Sequence, residues 1–182
     1  MKHALLLAAA AAVAAGCGPA GKSTRNLKPD AQAPAEAWRG VATVAVLPPN
    51  SWTDHGLEYV AWYRAVIAES LRQKRYNVVP LVQVNRFMID RKFHLSGELG
   101  MFETKELADA FRADALLSWQ ITNDGPVLEV VLQKADGTIL WATGEVRLGT
   151  KFKWYTSGQY HGQDDEFALA LTEILRRLPE RS

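Results

Sequence analysis

A single cysteine, Cys17, stands directly behind an uncharged run of alanine, leucine and valine from Ala4 to Ala15, and this pairing constrains the chain more than any other feature. Met1-Lys2-His3 gives the run a short basic start. Its length suits the apolar core of an export signal and falls short of the roughly 20 residues that a membrane-spanning helix needs. As the only cysteine among 182 residues, Cys17 cannot close an intramolecular disulfide. Whatever folds beyond it has to hold by burying apolar surface, without a covalent cross-link.

Val13-Ala14-Ala15-Gly16-Cys17 resembles the lipobox of bacterial lipoproteins. In that pattern the chain is cut between Gly16 and Cys17, the thiol is acylated with palmitate-type chains, and the new amino group is usually acylated too. The pattern commonly has leucine three positions before the cysteine, where Ala14 stands here. The resemblance implies a signal peptide over residues 1–16 and a membrane partner reached through acylated Cys17. The alternative is a plain secretory signal cut elsewhere, with an incidental free thiol. Each buried methylene contributes about 0.8 kcal/mol; one acyl chain holds marginally, and two or more hold stably. Gly18 is not the aspartate that, in some bacteria, keeps lipoproteins at the inner membrane. The expected location is therefore the periplasmic face of the outer membrane.

A second motif overlaps the first. Gly16-Cys17-Gly18-Pro19-Ala20-Gly21-Lys22-Ser23 satisfies the phosphate-loop pattern letter for letter. That loop needs a β-branched strand before it and a helix after it. An alanine-rich stretch of low β propensity precedes this one, and Pro29 and Pro34 interrupt the segment where the helix would have to run. Cleavage before Cys17 would also remove the first glycine. No nucleotide is expected.

Removing residues 1–16 takes away Lys2 and leaves 166 residues with 20 basic and 20 acidic side chains. No block of like charges appears, so no nucleic-acid partner is expected. Residues 17–38, rich in glycine, proline, alanine and small polar residues, read as the lipidated cysteine and a flexible tether. Residues 39–182 then form one domain of ordinary size.

Val41 to Leu47 is β-branched and apolar on both faces, which predicts a buried inner strand stopped by Pro48-Pro49. Asp54 is placed to cap a helix whose Leu57, Val60, Ile67 and Leu71 repeat at helical spacing to about Arg75. A strand is expected over 76–82, a short helix around Val84 to Arg91, turn-forming residues over 93–102, and a helix over 104–113. Strands come next over 115–122, 127–134 and 139–148, the last two joined by the hairpin signal Asp136-Gly137. Asp164 or Asp165 caps a last helix carrying Phe167, Leu171, Ile174 and Leu178. The order β-α-β-α-α-β-β-β-α places the chain in the α/β to α+β class. It predicts a single mixed sheet with an early parallel βαβ pair, later antiparallel hairpins, and helices packed on the sheet.

Three of these segments resemble periplasmic lipoproteins with a TolB amino-terminal-like fold. They are Val44-Ala45-Val46-Leu47-Pro48-Pro49-Asn50, the step Ala113-Asp114-Ala115-Leu116-Leu117-Ser118-Trp119, and the hairpin Asp136-Gly137-Thr138-Ile139-Leu140-Trp141. In the hairpin the glycine stands one place early relative to the family pattern. The resemblance covers about residues 41 to 178. Members include the curli secretion lipoprotein, lipoprotein activators of penicillin-binding proteins, a ring-forming lipoprotein of exopolysaccharide export and transport-auxiliary lipoproteins. It implies a scaffold or assembly module that catalyses nothing and needs no cofactor. Its partners would be further copies of itself and other envelope proteins.

A direct search for chemistry finds little. His55, His94 and His161 are far apart and lack metal-ligand spacing, and His3 leaves with the signal. Asp54-His55 has no accompanying nucleophile, and capping explains Asp54. Asp164-Asp165-Glu166 suits a helix start without any cation. No catalytic or metal-binding residue is therefore assigned. Six tryptophans are many for this size, and Trp62, Trp119 and Trp141 fall where core packing accounts for them. Lys151-Phe152-Lys153-Trp154-Tyr155 alternates cations with aromatics ahead of a loop-like stretch. Such a segment suits a protein interface or the headgroup region; the other reading is an extension of the preceding strand with one face buried. Phe152, Trp154, Tyr155 and, behind the double proline, Trp52 are the candidate interface residues. The function expected is a membrane-anchored assembly component of an envelope transport, secretion or polysaccharide-export system. The alternatives are an activator of a periplasmic cell-wall synthase and, more remotely, a small-ligand binder or enzyme.

Overall fold

The computed structural model describes residues 31–50, 57–122, 127–143, 146–147 and 166–181. The first strand, β1, is the short piece Ala31–Gln32. Strand β2, Thr43–Val46, is the inner strand that its two-sided apolarity predicts. It pairs in parallel with β3, Asn77–Val78, on one side and with β4, Ala115–Thr122, on the other. Helix α1, Leu57–Gln73, crosses from β2 to β3. Helices α2, Leu81–Asp90, and α3, Thr104–Phe111, with a 3-10 turn at Ser96–Met101 between them, carry the chain from β3 to β4. Strand β5, Val127–Lys134, lies antiparallel to β4 over eight residue pairs. It also pairs with β6, Ile139–Ala142, and with β7, Val146–Arg147. Helix α4, Glu166–Arg176, returns to pack on α1. Among the described residues the sheet has seven strands in the order β1-β6-β5-β4-β2-β3, with β7 beside β5. This is the mixed α/β architecture that the sequence predicts.

Alternation along the strands divides the core in two. Val44, Val46, Ala115, Leu117, Trp119, Val130, Leu132 and Trp141 face α1 and α4. Ala45, Leu47 and Leu116 face α2 and α3, where Val84, Leu107 and Phe111 close the second layer. There Phe87 meets Phe93, Phe102 and Phe111 edge-on at centroid separations of 6.3, 6.0 and 5.1 Å.

Several boundaries move, each for a local reason. The strand expected over 76–82 shortens to two residues because Pro80 opens α2. Proline has no N–H to give a ladder, and its carbonyl accepts from Gln83 at 2.9 Å in the first turn. The helix expected over 104–113 ends at Phe111. Arg112 turns left-handed (φ 52°), and the Ala113 amide closes on the Ala108 carbonyl at 2.9 Å. The strand expected over 139–148 divides into β6 and β7. The turn-rich stretch 93–102 is held by the Glu98 carboxylate, which accepts from the amides of His94 and Leu95 at 2.6 and 2.8 Å.

Residues 31–38, which composition assigns to the tether, carry structure of their own. Strand β1 pairs antiparallel with β6, and the Ala33 amide donates to the Leu140 carbonyl at 2.9 Å. Ala35–Trp38 is a 3-10 turn whose Trp38, with Ala33 and Ala37, packs on the main core. Two residues of strand are too few to leave an alternating pattern, and the burial here comes from partners about a hundred residues away.

Candidate functional site

The residues singled out from sequence, Gly16, Cys17, Trp52, Phe152, Trp154 and Tyr155, lie outside the described residues, as do the capping candidates Asp54, Asp164 and Asp165 and the histidines His55 and His161. His94 is exposed ahead of the 3-10 turn, and Trp62, Trp119 and Trp141 belong to the main core.

Open α/β sheets bind ligands outside the carboxyl ends of their parallel strands. At that end of β2 the protein places its own side chains. Pro48 and Pro49 are buried, and the Trp119 indole N–H donates to the Leu47 carbonyl at 3.0 Å. Arg64, only 3% exposed, reaches around the strand end from α1. Its Nη2 donates to the Val46 carbonyl at 2.9 Å and its Nη1 to Asn85 Oδ1 of α2 at 2.5 Å. Burial pulls the guanidinium down from 12.5 to about 10, so it remains a cation at neutral pH. None of the ion pairs of the described residues gives it a carboxylate. Arg64 thus pins the two helical layers together around the end of β2, a structural task. Its signal was readable, because Arg64 occupies the Val60–Ile67–Leu71 stripe of α1, where a charge is out of place.

The Ala113-Asp114-Ala115 step also resolves into structure. Asp114 Oδ2 accepts from the amides of Ala42 and Thr43 at 3.0 and 2.8 Å, at the entry to β2. Its own amide donates to the Thr43 carbonyl at 2.9 Å, and its carbonyl accepts from Ala135 at 3.1 Å. One residue therefore ties together the starts of β2 and β4 and the end of β5.

At this same end lies a shallow groove of about 470 Å³, lined by Gln32, Trp38, Arg39, Tyr76, Glu180 and Arg181 among others. The segment after α4 forms one wall. Tyr76 Oη donates to the Pro179 carbonyl at 3.2 Å, Arg181 N–H to the Lys74 carbonyl at 3.0 Å, and Lys74 Nζ to the Arg176 carbonyl at 2.9 Å. The 3-10 turn after β1 forms the other, with the Trp38 indole N–H donating to the Ala33 carbonyl at 3.2 Å. Burial pushes the Tyr76 phenol up to about 12, partly offset by the positive charge of Arg181. The groove offers cations, indole and amide groups; among the described residues no three of His, Cys, Asp and Glu converge as a metal site. Sequence reasoning missed it because its lining comes from separate stretches of chain.

No protein-family model matches this chain, and no characterised protein matches it by sequence. Solved structures do resemble it. The lipoprotein GNA1162 of Neisseria meningitidis superposes with a TM-score of 0.51 at 19% identity, over 75% of this chain and 98% of that one. The PelC dodecamer of Paraburkholderia phytofirmans gives 0.44 at 18% identity, over 85% and 97%. The LpoB C-terminal domain of Escherichia coli gives 0.41 at 15% identity, over 59% and 82%. This chain is a mixed α/β domain similar in fold to a bacterial lipoprotein.

Proposed function

We propose that the chain is a membrane-anchored lipoprotein that faces the periplasm from the outer membrane and works without catalysis. It serves as an assembly component of an envelope transport, secretion or polysaccharide-export system. The observation that carries this reading is the fold likeness to lipoprotein GNA1162 across nearly all of that chain, in a protein that itself begins with a lipobox-like sequence ending at Cys17. The end of β2, where an α/β enzyme would hold its substrate, supports it further, being occupied by Arg64, Trp119 and the double proline. In this reading Cys17 supplies the tether, and the domain supplies recognition of itself and of partner proteins.

Crosslinking in intact cells, with a carboxy-terminal tag on the full-length precursor and mass spectrometry of the recovered proteins, tests the proposal. The expected result is the protein itself together with transport, secretion or export components. Recovery of a cell-wall synthase in their place would replace the scaffold with the activator. Light scattering on the purified protein separates the same two readings, since a closed ring fits export and a monomer fits an activator.

A further inference from the structure

Residues 31–38 are held to the described remainder of the fold by few contacts. Strand β1 gives two ladder pairs to the outer edge of β6, Ala31 with Ala142 and Gln32 with Trp141. The Ala33 amide adds one bond to the Leu140 carbonyl at 2.9 Å. None of these residues is fully buried; Ala33, Ala37 and Trp38 are half-buried against the main core. Other hydrogen bonds of the segment close within it or onto the turn behind it. Ala37 donates to the Pro34 carbonyl at 3.0 Å, Arg39 to that of Glu36 at 3.3 Å, and the Trp38 indole to that of Ala33 at 3.2 Å. These bonds travel with the segment. Detaching it breaks the β6 pairing and empties the seat of Trp38, and leaves its own short-range bonds intact.

The join to β2 is a hinge of defined geometry. Strand β1 runs antiparallel to β2, entering the sheet at the end where β2 finishes. Strands β6, β5 and β4 separate the two, so the segment crosses the end of the sheet before it reaches β2. There Trp38 to Val41 form a β-turn, closed by the Val41 amide on the Trp38 carbonyl at 3.1 Å. Arg39 stands at φ −59° and ψ 131°, and Gly40 at φ 77°, the type II pattern that favours glycine at its third position. A β-carbon on Gly40 would meet nothing within 4 Å. The closed turn therefore depends on the left-handed backbone of one residue, and no neighbour stands in the way of a side chain there.

Detachment would strip the outer edge of β6, and an unpaired edge is a template for another strand. The occupant that restores every lost contact is the same segment of another copy, which is why such exchange is a low-cost route to assembly. Its reach suffices. From Val41 back to Ala31 is ten residues, at most about 35 Å when extended. That is comparable to the diameter of a domain of this length, whose radius of gyration is about 14 Å. We infer that residues 31–38 are an exchangeable strap, and that the β6 edge beneath it receives the strap of a second copy of this chain. The inference deepens, and rests on, the reading of the domain as a module that recognises itself. Because the strap stands in series with Cys17, exchange would couple the anchor of each copy to its neighbour's sheet.

The test uses two full-length chains, both carrying Cys17→Ser, one with Ala31→Cys and the other with Ala142→Cys. The two positions are partners across β1 and β6, and antiparallel partners lie about 4.5–5.5 Å apart at Cα, a separation that a disulfide spans. In a mixture of the chains, a disulfide between positions 31 and 142 can form only between copies. After incubation and oxidation, mass spectrometry is expected to find this joined peptide, in an amount that rises with protein concentration. Gly40→Val in both chains strains the closed turn and leaves the opened one relaxed, so it is expected to raise the exchanged fraction roughly tenfold per copy. Light scattering on the same samples reports the oligomeric state. Oligomers without the joined peptide would overturn the exchange and leave self-recognition to another surface, whereas monomers without it would remove both. A lower melting temperature for Gly40→Val with no gain in joined peptide would show that the turn opens only with the whole fold, and would also overturn the inference. Recovery of a different protein bonded to position 142 in intact cells would displace the second copy as the occupant.

Discussion

Asp114 shows how one side chain sets a register that hydrophobic patterning leaves open. Its carboxylate receives two adjacent backbone amides at the entry to β2, groups that would otherwise meet the sheet edge without an acceptor. Asp114→Ala orphans both donors and is expected to cost about 2–3 kcal/mol, while Asp114→Asn keeps one acceptor oxygen and loses roughly half as much. Urea unfolding with an unchanged slope decides this; equal losses for both variants would mean that the carboxylate is not what holds the strand. Arg64 poses the opposite question, a buried cation whose Nη1 and Nη2 reach an amide oxygen and a carbonyl while its Nε finds no acceptor and no counter-charge stands by among the described residues. Removing it to alanine leaves a hole and takes the donor from the buried Val46 carbonyl, while exposed Asn85 turns to water, for an expected loss of about 3–4 kcal/mol. Arg64→Met refills the volume and removes the desolvated charge, so it is expected to recover more than half of that loss. If methionine proves as damaging as alanine in thermal unfolding, the hydrogen bonds and not the packing hold the two layers together.

At the scale of elements, the parts legible in sequence are those whose partners are local or whose pattern is long. The β4 strand and the β5 strand run over the residues expected of them, because eight-residue stretches of β-branched, apolar and alternating polar residues flanked by turn signals leave few alternatives. Asp136-Gly137 makes the expected hairpin, with Gly137 at φ 90° and its carbonyl held by the Gln133 side chain at 2.9 Å. A β-carbon there would meet nothing nearer than 3.9 Å, so the cost of Gly137→Ala is backbone strain alone, about 1–2 kcal/mol. A much larger loss in equilibrium unfolding would show that the turn carries contacts beyond its own residues. What the sequence hides is β1 and the wall built after α4, since both are fixed by long-range partners. Tyr76 gives that wall a measurable handle. Its phenol is pushed from 10 to about 12 in the fold. The unfolded chain therefore releases this proton first as pH rises. The contribution of Tyr76 is full below pH 10 and is lost as pH climbs towards 12, so stability falls across that interval. Tyr76→Phe is expected to flatten the fall while costing about 1 kcal/mol at neutral pH through the lost bond to Pro179. An undiminished alkaline fall in the phenylalanine variant would assign it to another group.

At the scale of the whole molecule, charge is the property that sequence order conceals and folding reveals. No run of like charges exists along the chain, yet Arg39, Lys74, Arg75, Arg112, Arg176 and Arg181 arrive at one end because the parallel strands all start there and α1, α3 and α4 all finish there. A search for like-charge runs in sequence is blind to such a convergence, in which Glu36, Asp114, Asp136 and Glu180 stand among the cations, while the lipobox-like start is read at once because its signal is contiguous. The same division applies to the proposed interface. Lys151-Phe152-Lys153-Trp154-Tyr155 stands out by composition, and it lies outside the described residues. Two measurements on Trp154→Ser separate its two readings. If Trp154 were a buried sheet residue, truncation would cost about 3–5 kcal/mol and lower the melting temperature markedly. If it is an interface anchor, the isolated domain melts as before, and the loss, typically about 2 kcal/mol or more, falls on oligomer mass and partner recovery. The expected outcome is the second, with Tyr155→Ser and Trp52→Ser showing the same pattern at smaller magnitude. An unchanged oligomeric state together with unchanged partner recovery would remove this segment from the assembly surface and leave the rest of the domain to supply it.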